Sequence, residues 1–68
     1  LNNMKYTSMT RNFRGFNYQT DWKSLEDWEK EMVEQEKKNN EVEWSILISI
    51  HSGKPIFKYS RGMGINSI

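Results

Sequence analysis

The hydrophobic period of the chain changes from about 3.6 residues to two near Asn39-Asn40, and that switch confines the fold to a helix followed by strands. Before the switch, Trp22, Leu25, Trp28, Met32 and Val33 fall within an arc of roughly 140° at about 100° per residue, one apolar stripe on a helix. The pattern predicts a helix over residues 22–39. Asp21 or Ser24 can cap its start, Glu26 and Asp27 suit the positive end of the helix dipole, and Lys37-Lys38 suit the negative end. Glu26 with Lys30 and Glu34 with Lys38 add favourable pairs one helical turn apart.

After the switch, Val42, Trp44, Ile46, Ile48 and Ile50 alternate with Glu43, Ser45, Leu47, Ser49 and His51, as in a strand with one buried face. Ser52-Gly53 supplies a turn, and Ile56-Phe57-Lys58-Tyr59 returns as the second arm of a hairpin. With a tight turn, Phe57 and Tyr59 share the face of Ile46, Ile48 and Ile50, while Lys58 and Ser60 join Ser49 and His51. That register sets Trp44 opposite Arg61, within reach of a cation–π contact. Upstream, the segment from Met4 alternates, and Asn12-Phe13-Arg14-Gly15 fits a type I turn, so one strand or a hairpin precedes the helix.

The expected fold is therefore α+β: one amphipathic helix packed on a small antiparallel sheet in the order β(β)-α-β-β, two layers deep. Its core is expected from the helix stripe and the face of Ile46, Ile48, Ile50, Phe57 and Tyr59. Residues 1–68 form a single domain whose ends, 1–3 and 62–68, are expected to be mobile. Met4 is expected to be the natural start, with Leu1-Asn2-Asn3 an upstream extension.

A chain of 68 residues buries only about 60% of the surface that its unfolded form exposes, so its core must be made of large side chains. The composition supplies them: Ala is absent, and Trp, Tyr, Phe and Met make up more than half of the apolar residues. With no Cys and a single His, disulfides and the usual zinc sites are excluded, and self-association or a partner is the remaining reinforcement. No metal and no cofactor is expected. Ile46-Leu47-Ile48 is far below the run of about 20 apolar residues that a membrane span needs, and a cytoplasmic location is expected.

The net charge of +1 conceals a division along the chain. Lys5, Arg11 and Arg14 precede all acids, the nine acids lie between Asp21 and Glu43, and Lys54, Lys58 and Arg61 follow them. On the expected fold this places acids on the outer helix face and cations on the far face of the sheet.

Four groups of residues invite function. Asp27, Glu31 and Glu34 line up on one helix face and match a basic groove on a partner. Trp44 and Arg61 are of the types enriched where interfaces concentrate their energy. Arg11, Phe13, Arg14 and Phe16 interleave guanidinium groups with aromatic rings, the chemistry that stacks on bases and neutralises phosphates, and Lys54 and Lys58 on the hairpin extend it. Arg14-Gly15-Phe16-Asn17-Tyr18 partly resembles the aromatic strand motif of RNA-recognition domains, departing from it at Asn17, Gln19 and Asp21. Finally, His51 with Lys54, Lys58 and Arg61 contains the parts of a metal-free ribonuclease.

Two glycine patterns carry nothing. Ser52-Gly53-Lys54 lacks the earlier Gly and the following Ser or Thr of a phosphate loop, and Gly62-Met63-Gly64 has no helix after it. The sequence thus leads to a non-enzymatic protein-binding module, an inhibitor or adaptor of the kind carried by phages and mobile elements, with a homodimer as one form. Nucleic-acid binding is the alternative.

Overall fold

The computed structural model describes residues 3–38 and 41–68. Among these, one helix and five strands follow the order β1 (Tyr6–Asn12), β2 (Asn17–Trp22), α1 (Leu25–Lys37), β3 (Val42–Ser49), β4 (Pro55–Ser60) and β5 (Gly64–Ser67). The strands make one antiparallel sheet in the order β2-β1-β3-β4-β5, with α1 laid on one face: the expected α+β architecture in two layers. No helix among the described residues is long and apolar enough to cross a membrane.

The N-terminal segment is a hairpin. Gly15 N donates to Asn12 O at 2.9 Å, closing the turn expected over Asn12–Gly15, and Gly15 takes a φ of 90°, a region that L side chains avoid. The helix starts later than its periodicity suggested. Ser24 is the cap, its Oγ accepting from Asp27 N at 3.2 Å, while Asp21 and Trp22 belong to β2. Trp22 therefore leaves the apolar stripe, and Val33 at its edge is 46% exposed. The predicted last helical residue, Asn39, lies outside the described residues, as do Leu1 and Asn2 of the expected mobile start. At the other end, residues 64–67 are ordered as β5, with Ile68 N donating to Ile56 O and Ile65 packed against the core. The 62–68 segment is thus largely part of the sheet.

The largest correction concerns which side of β3 is buried. Trp28, Met32, Val42, Leu47 and Tyr59 form the core, and Ser8, Thr10 and Ser45 are buried with them. Ile46 and Ile48 point to the face without the helix, and Ile50 lies 47% exposed beyond the strand. The register explains the reversal. Ser45 pairs with Tyr59, Ile46 with Lys58 and Leu47 with Phe57, one residue away from the expected alignment, and a one-residue slip exchanges the two faces. A β-bulge between Leu47 and Ile48 displaces the alignment by one more residue toward the turn, setting Ile48 opposite Pro55, and it leaves both Ile56 and Phe57 packed against the core.

Indole chemistry gives the physical reason. Trp28 is completely buried and donates from Nε1 to Ser45 Oγ at 3.0 Å, while Ser45 Oγ also bonds Thr10 Oγ1 at 2.9 Å. Trp22 Nε1 donates to Ser8 Oγ at 2.9 Å. A buried indole N–H needs an acceptor, and a ring of that size needs space beneath it. Small hydroxyl side chains on the sheet supply both; isoleucines supply neither.

Candidate functional site

With the hydroxyls turned inward, the branched apolar residues of β3 line the opposite face. Cross-strand rows run from Met9 through Ile46 to Lys58, from Arg11 through Trp44 to Ser60, and from Thr7 through Ile48 to Pro55. Trp44, Ile46 and Ile48 are half-buried by these neighbours, Met9 is 39% exposed, and no described element of the chain crosses them. The solvated face of an antiparallel sheet ordinarily alternates to polar residues. Here its centre is an apolar stripe bordered by Arg11 and Lys58.

Arg11 is engaged beside this stripe, its Nε lying 3.4 Å from Glu43 Oε1. At the end of the β1–β2 hairpin, Arg14 Nη2 lies 3.1 Å from Glu41 Oε2. The hairpin tip is held firmly. Asn12 Oδ1 accepts from the main-chain N of both Arg14 and Phe16 at 3.0 Å, and Phe13 N donates to Glu41 O at 2.7 Å. On this frame Phe13 and Phe16 are 58% and 65% exposed.

The cations and aromatics expected to form a nucleic-acid surface are therefore brought together only in part. Arg11, Phe13, Arg14 and Phe16 lie at or near one end of the sheet, and both arginines face a carboxylate. Lys54 sits in the β3–β4 turn at the opposite end, and Lys58 lies midway on the open face. Lys58 does fall on the side away from α1, as the charge division implied, but its neighbour is Ile46 rather than Ser49 and His51. That division is also incomplete in space, since Glu41 and Glu43 stand beside the N-terminal arginines.

Trp44 and Arg61 do not meet as expected. Trp44 pairs with Ser60, and Arg61 N donates to Glu43 O at 3.1 Å. The Arg61 guanidinium is on the helix side, where it acts on the Tyr59 hydroxyl. That hydroxyl donates to Glu36 Oε1, and burial first, then Glu36, push its pKa up to about 12, Arg61 opposing the rise. The ribonuclease set is also dispersed: His51 and Lys54 are at one end, and Arg61 follows β4 at the other.

On α1, Asp27 is exposed and Glu31 and Glu34 are half-buried. Glu34 Oε1 lies 3.8 Å from Lys38 Nζ, and Glu31 accepts from Gln35 Nε2 at 2.7 Å. Glu31 faces the sheet edge: with Thr10, Tyr18, Thr20, Trp22, Met32 and Gln35 it lines a cleft of about 180 Å³ between α1 and β2. Tyr18 has its pKa raised by burial and, secondarily, by the Glu31 charge. No group of three or more His, Asp or Glu side chains among the described residues could hold a metal ion.

Met9, Ile46 and Ile48 are the site residues that sequence reading missed. The signal for them was the tryptophan count: two indoles to bury call for an acceptor-bearing floor, and Ser8, Thr10 and Ser45 alternate at the required period. Neither protein-family models, nor curated proteins, nor solved structures give a significant match to this chain.

Proposed function

We propose that this chain is a non-catalytic module that binds another protein, and that the open face of the sheet is its contact surface. One observation carries the reading: the apolar stripe of Trp44, Ile46, Ile48 and Met9 lies uncovered on strands whose other face accommodates buried serine and threonine. Each such side chain gains roughly 25 cal/mol for every Å² removed from water, which favours an apolar partner surface. Trp44, at one end of the stripe on the central strand β3, is of the type that anchors interfaces. A protein suits this face better than a nucleic acid does, because Arg11 is already paired with Glu43 and binding to phosphates depends on uncompensated cations.

The test compares the tagged wild-type chain with the double variant Met9→Thr/Ile46→Thr, which keeps strand-forming side chains while removing apolar surface. The reading expects a protein recovered at fixed stoichiometry with wild type, lost with the variant, and retained by an Arg14→Ala control. Co-purifying nucleic acid, or a partner that the double variant holds as well as wild type, overturns it. Concentration-dependent self-association that the double variant abolishes would identify the partner as a second copy.

A further inference from the structure

We infer that the free edge of β2, together with the cleft between β2 and α1, receives an extended segment of a basic partner that adds a strand to the sheet. The surface is separate from the open face, so neither reading depends on the other.

Hydrogen-bond parity fixes which groups are available. Ile50 N donates to Lys5 O and Phe13 N to Glu41 O, so the odd-numbered residues of β1 turn their main chain toward β3. The even-numbered ones then face β2, as the bond from Asn12 N to Phe16 O shows. In β2, accordingly, Tyr18, Thr20 and Trp22 bond inward, and Asn17, Gln19 and Asp21 direct their N–H and C=O groups outward from the sheet.

The two edges of the sheet differ in how they are protected. β5 is four residues long and begins at a glycine, whereas β2 has six residues, with no proline and no lysine. Short length, proline and lysine are the ordinary means of discouraging strand addition, so β2 is the receptive edge. Above it, the cleft has a floor of Tyr18 and Thr20 and a wall of Glu31 and Gln35. A strand added here would have every second side chain, about 7 Å apart, directed toward α1.

Charge selects the occupant. Asp27 and Glu31 make no ion pair among the described residues; Asp21, in the row of Thr7 and Ile48, adds its charge to the edge from the opposite face of the sheet. Burial first, and then the Glu31 charge, raise the pKa of Tyr18, which places that carboxylate within electrostatic reach of the cleft floor. A second copy docked edge to edge about a two-fold axis would set one Glu31 row against another, and like charges so placed repel. A segment with lysine or arginine at alternate positions instead places cations against Glu31 and Asp27 while its main chain pairs with Asn17, Gln19 and Asp21.

The experiment titrates the full chain with a short end-blocked peptide alternating lysine and valine, following backbone amide resonances. Chemical-shift changes centred on Asn17, Gln19 and Asp21 are expected, with affinity falling as salt rises. A glutamate–valine peptide, or the lysine peptide N-methylated on its pairing edge, should bind at least about tenfold more weakly, a difference of about 1.4 kcal/mol. Asp27→Asn/Glu31→Gln should also weaken binding about tenfold, and Glu34→Gln, already paired with Lys38, much less. The inference is overturned by equal binding of the acidic or N-methylated peptide, by absence of binding at millimolar peptide, or by shifts confined to Met9, Trp44 and Ile46. Protection of the β2 amides that rises with protein concentration alone would assign the edge to a second copy and overturn it too. None of these outcomes bears on the Met9→Thr/Ile46→Thr test of the open face.

Discussion

The two faces of the sheet divide the chemistry of strands β1 and β3 in opposite ways. Toward α1 they present Ser8, Thr10 and Ser45 alongside Leu47; away from it they present Met9, Trp44, Ile46 and Ile48. Judged by side-chain hydrophobicity alone, the second set belongs inside. Trp28 and Trp22 reverse the choice, because an indole brings its own large apolar surface and asks the opposing layer for room and an acceptor. The comparison teaches that the burial of a strand face depends on what lies over it as much as on what it carries.

The greatest expected effect tests the inner face. Trp28→Ala removes the central side chain of the core and should cost about 3–5 kcal/mol. A domain of this length commands roughly 3–10 kcal/mol in total, so circular dichroism should show the variant largely unfolded or with a strongly lowered urea midpoint. Trp44→Ala, on the open face, should keep a cooperative transition; equal losses would erase the distinction between the faces.

A finer test exploits adjacent residues of β3. Ser45→Ala makes the chain more hydrophobic, yet it strips Trp28 Nε1 and Thr10 Oγ1 of their shared partner and should destabilise by about 1–3 kcal/mol. Ile46→Thr makes the chain more polar and should cost less than about 1 kcal/mol. Urea denaturation of the pair decides: the reverse order would mean that the faces have been assigned the wrong way round.

The smallest effect is confined to high pH. Tyr59 ionises at about 12 when folded and near 10 when unfolded, so between those values the folded state retains a proton that the unfolded state has lost. Its contribution is complete below pH 10 and declines as pH rises toward 12. Tyr59→Phe should flatten that part of the stability curve, and ultraviolet titration of wild type should show one tyrosinate appearing late. A Tyr59 that titrates with the unfolded chain would place its hydroxyl outside the protected helix side.

The fold was legible wherever a period or a turn signal was unopposed. The α1 stripe, the Ser24 cap, the Asn12–Gly15 turn and the existence of the β3–β4 hairpin all follow from local pattern. The buried side of β3 did not follow, because both sets of alternating residues contain apolar members and the bulge beside Ile48 cannot be read from spacing. Trp22 fits the helical period and the strand period alike, and pairing with Tyr6 decided between them. β5 was hidden because Gly62 and Gly64 resemble the composition of a loose tail and because Ile65 is the one residue of that strand that packs on the core. Of the candidate surfaces, the acidic helix positions were accessible from sequence, whereas the stripe they were separated from appears only once the register is known.

The unequal surroundings of Trp28 and Trp44 equip the molecule with two internal optical reporters. Trp28, sealed in the core, should be reached by a soluble quencher only as the chain opens; Trp44, at the surface proposed for a partner, should lose accessibility when that surface is covered. Quenching of the two emissions, each isolated by replacing the other and Trp22 with phenylalanine (Trp22→Phe/Trp44→Phe and Trp22→Phe/Trp28→Phe), would therefore distinguish occupancy from unfolding, with no dye attached to either face.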